Sequence, residues 1–335
     1  MIEDAVKLTT YFGERDRAGG GFLADALLDL YGRAGFRTSV LLRGTEGFGA
    51  KHRLQSQRLL TLSEDLPLVS VAVDARARIE AVLPEVEALH GGSGLVTLER
   101  ARMLTAPEPV EAPEGQAKLT VYCGRREPFA EVVDVLRRHG VSGATVLLGV
   151  DGTAHGERRR ARFFGANRGV PLMIISVGAG DAVARAVPEV APLLERPLAT
   201  LERILVLKRD GRRLADPAGI PDGARQKLMV YTSEAATVDG RSLYAELVRR
   251  LRAAGAAGAT ALRGIWGYHG DHAPHGDKLL TLRRHVPVLT VIIDEPDRIR
   301  RWFGIVDELT QEVGLVTGER AVALRLARRS LREGL

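Results

Sequence analysis

The chain has 335 residues, more than one hydrophobic core usually serves, so two or three domains are expected. With 45% hydrophobic and 27% charged residues the composition excludes a disordered chain, and no apolar run approaches the roughly 18 residues of a membrane span. A net charge of +6 leaves nucleic acid, an acidic membrane surface and small anions open as partners.

Met1, Ile2, Glu3 and Asp4 form neither a basic n-region nor an apolar h-region, so a cytoplasmic location is expected. Residues 8–12 have strand character, and Leu23, Leu27, Leu30, Tyr31 and Ala34 fall at helical spacing, stopped by Gly35. Residues 38–42 and 68–73 are short runs of strand formers separated by a long glycine-rich segment. Ile79, Val82, Leu83, Val86 and Leu89 mark a second helix ahead of a strand at 95–98. Pro84 lies inside that helical pattern, as Pro188 does further on, and predicts a kink or a helix start close to the proline. The order is strand, helix, strand, strand, helix, strand.

That order occurs three times. KLTTYFGE opens at Lys7, KLTVYCGR at Lys118 and KLMVYTSE at Lys227, at intervals of 111 and 109 residues. Arg43-Gly44 aligns with Leu148-Gly149 and Arg263-Gly264, and Pro67 with Pro171 and Pro287. Residues 105–117 and 209–226 are rich in Pro, Gly and charge and read as linkers, leaving repeats at 1–104, 118–208 and 227–326 and a tail at 327–335. The first linker can extend about 43 Å, enough to cross the edge of a small domain.

A βαββαβ unit folds as a four-stranded antiparallel sheet with both helices on one face, the ferredoxin-like arrangement. Its other face should be wet only if the strands alternate with polar residues, and the third strands do not: Val288, Leu289, Val291, Ile292 and Ile293 are apolar on both sides. The fold expected is therefore α+β, three ferredoxin-like domains whose open faces pack together as an intrachain pseudo-trimer.

GERDRAGGGFLADALLDLYGRAGF, SVLLRGTEGFGAKH, LLTLSEDLPLVSVAVD and GLVTLERARML, echoed by ATALRGIWGYHGDH, LLTLRRHVPVLTVIID and GLVTGERAVALR in repeat 3, resemble domain-of-unknown-function family 190, a PII-like family. Repeat 2 keeps Gly149, Gly152 and Pro171 but has Leu148 for the arginine, and resembles a degenerate copy. The resemblance implies clefts between neighbouring domains, beneath the loop joining strands two and three, that bind small ligands, often adenine nucleotides.

Candidate site residues collect in that loop. Repeat 1 places Gly44, Gly47 and Gly49 among Arg43, Lys51, His52 and Arg53. Glycines allow backbone N–H groups close to a ligand and guanidinium groups pair with phosphate or carboxylate, so the pattern points to an anion; a flexible solvated connection is the alternative. Repeat 3 offers Arg263, Gly264, Gly267, Tyr268 and His269. No metal is expected, although His269, His272 and His275 are the candidates for one, on a loop broken by Gly270, Pro274 and Gly276. In repeat 2, Arg158, Arg159, Arg160 and Arg162 form a basic run that is either a wet face or an anion or partner contact. Glu14, Asp16 and Glu234 follow first strands and either bond a ribose or form turns. Cys123, the single cysteine, is read as packing.

The expected function is a non-enzymatic signalling module. A small anionic ligand, by resemblance a nucleotide effector, occupies interdomain clefts, and the glycine-rich loops act on a protein partner such as a membrane transporter. No Gly-x-Ser-x-Gly, Walker loop or repeated carboxylate dyad points to catalysis, and no other cofactor is expected. Two alternatives stay open: a metal-binding trimeric protein of the CutA type, and a basic nucleic-acid-binding module, which the aliphatic third strands disfavour. A monomer without membrane insertion is expected, with at most two equivalent ligand sites because fused copies diverge.

Overall fold

The computed structural model describes residues 2–49, 54–56, 65–92, 94–154, 156–160, 170–269, 275–276, 286–326 and 329–330. Repeat 1 forms β1 (Ile2–Gly13), α1 (Leu23–Arg33), β2 (Thr38–Arg43), β3 (Glu46–Phe48), β4 (Pro67–Ala75), α2 (Arg76–His90) and β5 (Leu95–Leu104). Repeat 2 forms β6 (Gln116–Gly124), α3 (Phe129–Arg138), β7 (Gly143–Leu148), β8 (Asp151–Ala154), β9 (Pro171–Ala179), α4 (Gly180–Val190) and β10 (Ala199–Arg209). Repeat 3 follows with β11 (Arg225–Ser233), α5 (Leu243–Ala253), β12 (Ala259–Arg263), β13 (Trp266–His269), β14 (Pro287–Asp294), α6 (Pro296–Leu309) and β15 (Leu315–Leu326). No helix among the described residues is long and apolar enough to cross a membrane.

The alternation within each strand decides what its two faces meet. On β1, Val6, Leu8 and Phe12 point to the helices, where they pack with Leu23, Leu27, Tyr31 and Ile79. Repeats 2 and 3 each have a matching core beneath their helices. The opposite faces supply one further core shared by all three repeats, in which Val69, Val71 and Val73 meet Met173 and Ile175 and also Leu289, Val291 and Ile293. Each such aliphatic side chain contributes about 1.5–3 kcal/mol when buried, so the doubly apolar third strands are accounted for by this shared interior.

Pairing is antiparallel throughout. Each sheet has the order second, third, first, fourth strand: β2–β4–β1–β5, β7–β9–β6–β10 and β12–β14–β11–β15. The repeats are also joined edge to edge. β8 lies on β2 (Asp151 opposite Leu41), β13 on β7 (Trp266 opposite Val146) and β3 on β12 (Phe48 opposite Ala259), so every repeat contributes to a seam with each of the others. The fourth strands link similarly, with Leu104 opposite Ala199, Leu205 opposite Gly318 and Val322 opposite Leu98.

Two local expectations change. Helix α2 starts at Arg76, well ahead of Pro84, and runs on to His90, so it does not begin at the proline, which is exposed. Gln116, Ala117, Arg225 and Gln226, assigned by composition to linkers, already pair within β6 and β11.

The recurrent glycines owe their positions to the seams. A Cβ on Gly47 would lie 2.7 Å from the Ala259 carbonyl oxygen, one on Gly44 the same distance from the Pro67 ring, and one on Gly149 the same distance from the Pro171 carbonyl oxygen. Cβ atoms on Gly152 and Gly267 would run into the carbonyl oxygens of Ser39 and Ala144 in the neighbouring repeat. Backbone thus crosses backbone where only glycine fits. Gly152→Ala is expected to lower stability by about 1–3 kcal/mol in denaturant unfolding, whereas Gly49→Ala, which meets nothing within 4 Å, should stay within about 0.5 kcal/mol of the parent.

Candidate functional site

A lysine within a strand buried on both faces must find a counter-charge inside the protein. Lys7, Lys118 and Lys227 on the first strands find Glu99, Glu202 and Glu319 on the fourth strands. Lys7 lies 2.6 Å from Glu99 and 2.7 Å from Glu202, Lys118 is 3.1 Å from Glu202 and bonds Glu319, and Lys227 is 2.9 Å from Glu319 and 2.7 Å from Glu99. The contacts close a ring of alternating sign, in which every lysine bridges its own repeat and the next. All six side chains are at most 7% exposed.

Burial pushes Glu319 upward, but Lys118, Lys227 and Lys7 outweigh it and hold its carboxyl down at about 2; Glu99 is held well below the usual carboxylate range by the same balance. Burial draws Lys7 down, against which Glu202, Glu99 and Glu319 raise it well above an ordinary lysine. Although the three carboxylates offer oxygens within 4.8 Å of one another, three ammonium groups already share them, so the donor set does not fit a metal cation.

Two outcomes follow. Glu99→Gln leaves Lys7 and Lys227 with one carboxylate fewer and should cost about 3–5 kcal/mol in urea unfolding. Because the folded pKa of Glu319 lies below its unfolded value, its stabilising contribution is present above about pH 4.5 and is lost as pH falls towards 2. The acid side of the melting-temperature profile should therefore be shallower in Glu319→Gln than in the parent.

The sequence-predicted residues lie at the seams rather than in one place. Arg43 pairs with Glu14 at 2.8 Å and Arg263 with Glu234 at 2.9 Å, so both carboxylates serve to hold the arginine at the loop base. Repeat 2 has Leu148 and Arg125 at the corresponding positions, losing both members of the pair. The Asp16 carboxylate accepts from the Gly13 N–H at 2.9 Å, a turn-forming role. Gly44, Gly47, Gly264 and Gly267 are packed into seams. Tyr268 is buried in the core of repeat 2 and its hydroxyl donates to the Val141 carbonyl at 2.7 Å.

Arg158 is enclosed by Asp25, Asp29 and Asp151, and Arg159 bonds Glu157, so neither is a free cation. His269 contacts Asp210 at 2.5 Å; His272 lies outside the described residues, as do Lys51, His52, Arg53 and Arg162, and His275 is placed only by its backbone opposite Gly267. The Cys123 thiol is buried, which pushes it up to about 12 and leaves it unreactive at neutral pH.

Sequence reasoning missed a cleft of about 620 Å³ between repeats 1 and 2. Arg100 and Arg102 of β5 and Arg203 of β10 line it, closed on one side by residues 111–114 of the connecting segment. That wall is pinned by the Gly180 N–H donating to the Gly115 carbonyl at 2.9 Å and by Arg102 donating to the Glu111 carbonyl at 3.3 Å. Arg100 is tied to Asp4 at 3.1 Å, while Arg203 is exposed and has no partner among the described residues. The signal lay in the recurrence of Glu99-Arg100, Glu202-Arg203 and Glu319-Arg320: with a period of two, the glutamate enters the buried ring and the arginine faces outward.

Fold and site together define a three-repeat α+β protein whose copies complete one another's charge pairs, with a cleft between repeats 1 and 2. It belongs to family DUF190, described as "Uncharacterized ACR", which matches three times, over residues 5–103, 117–206 and 225–323. Among solved structures, the crystal structure of aspartate kinase from Synechocystis is similar over 95% of this chain with a TM-score of 0.25 and 10% identity. The chain spans 44% of that structure's length, and a likeness at this level carries no argument.

Proposed function

We propose that the chain is a non-enzymatic PII-like sensor: three ferredoxin-like units closed into an intrachain pseudo-trimer, binding a small anionic ligand between repeats and acting on a protein partner through the loops after the second strands. The strand order shared by all three sheets supports the ferredoxin-like assignment, and the three seams with their common interior support the closed arrangement. The observation that carries the ligand reading is the cleft between repeats 1 and 2, where Arg203 of one repeat is exposed, without a side-chain partner among the described residues, beside Arg100 and Arg102 of the other. Its volume of about 620 Å³ is within the usual span for small-molecule sites, and a guanidinium is suited to phosphate or carboxylate. Phe48, Ala154 and His269, after the second strands, each pair with the next repeat. A cytoplasmic location and an adenine nucleotide as effector belong to the same proposal.

Titration calorimetry with ATP and ADP tests it. Arg100→Ala/Arg203→Ala should weaken binding at least tenfold, since each lost charge-assisted hydrogen bond is worth about 1.5–3 kcal/mol. Arg43→Ala/Arg263→Ala, which breaks pairs internal to repeats 1 and 3, should leave affinity within about twofold. Unchanged affinity in the first variant refutes the cleft, loss only in the second moves the site to the loop bases, and no binding by the parent refutes the nucleotide effector.

A further inference from the structure

The basic run of repeat 2 directly after β8 is built into the neighbouring repeat. Thr153 on β8 shares a 2.8 Å hydroxyl contact with Ser39, both buried, and the Gly156 N–H donates to the Phe36 carbonyl at 3.0 Å. Gly156 has a φ of +80°, and a Cβ there would lie 3.3 Å from Gly35, so the chain turns tightly against the end of α1. The Arg159 N–H then returns to the Gly152 carbonyl at 2.8 Å.

Arg158 completes the attachment. Its guanidinium reaches Asp29 at 2.8 Å, Asp25 at 2.5 Å and Asp151 at 2.7 Å, and Arg160 stands 3.5 Å from Asp25. A single exposed ion pair contributes little, but one guanidinium among three carboxylates also relieves their mutual repulsion. The burial of Asp151 and the partial burial of Arg158 reduce screening further. The acidic pair belongs to repeat 1: in register with Asp25 and Asp29, α3 has Ala130 and Asp134, and α5 has Ala245 and Arg249. Among the described residues, acidic receptor and basic strap thus occur together at the seam between repeats 1 and 2.

We infer that residues 156–160 are a latch that fastens the loop of repeat 2 to the first helix of repeat 1 and withholds Arg158 from acidic partners until the carboxylates release it. The inference does not depend on what the cleft binds. Hydrogen exchange of the full chain tests it, read on the peptide covering residues 152–160, because the Gly156 amide, bonded to the Phe36 carbonyl of repeat 1, is protected only while the strap is seated. Asp25→Asn/Asp29→Asn should exchange at least tenfold faster there, with β6 and β9 unchanged. Arg158→Lys, which keeps the charge but cannot span three carboxylates, should do the same and decides the matter if the double variant loosens the whole fold. Parent-like protection of 152–160 in Arg158→Lys overturns the latch.

Discussion

Six buried charges constrain everything else in this molecule. Taking an ammonium or carboxylate out of water costs several kcal/mol, and no lysine here is compensated fully by its own repeat: Lys7 needs Glu202, Lys118 needs Glu319 and Lys227 needs Glu99. The last of these contacts matters most for architecture, since repeats 3 and 1 are not consecutive in the chain. An isolated repeat, or a chain with one seam open, leaves buried charge uncompensated. A well-packed apolar cluster of similar volume would be at least as stabilising, so we read the ring as fixing which strands meet and in what register rather than as a source of net stability.

Around that ring each seam uses backbone crossing to fix distance and side-chain charge to fix identity. Gly47, Gly152 and Gly267 let a short strand of one repeat lie against the next, and the same construction occurs three times. Charges then distinguish the seams: Arg43 and Arg263 keep their glutamates, whereas repeat 2 has lost that pair and instead carries Arg158 into the carboxylates of α1. Arg203, without a side-chain partner among the described residues, and the seated Arg158 both belong to the seam between repeats 1 and 2.

Much of the fold was legible because its signals are local and repeated. Helical spacing at Leu23, Leu27 and Leu30, doubly apolar third strands and the recurring lysine openings required no knowledge of partners. The site was less legible because its partners come from other repeats. Lys7 and Glu99 look like ordinary solvent-facing charges on alternating strands until a second sheet covers them. Gly44 and Gly47 have the composition of a ligand loop, yet the atoms they accommodate belong to Pro67 and to Ala259 of repeat 3. Tyr268 and Arg158 similarly gain their roles from Val141 and Asp25, more than a hundred residues away. Charge recurring at one register in all three copies, as in Glu99, Glu202 and Glu319, was the available clue.

The most direct test is a double-mutant cycle across one seam, measuring urea unfolding of the parent, Lys7→Met, Glu202→Gln and the combined variant. If the repeats are held in register by shared buried charge, the two single changes should be coupled by at least about 1.5 kcal/mol, the double variant losing far less than their sum. Additivity within about 0.5 kcal/mol would mean that Lys7 and Glu202 do not meet, and would contradict the closed arrangement itself.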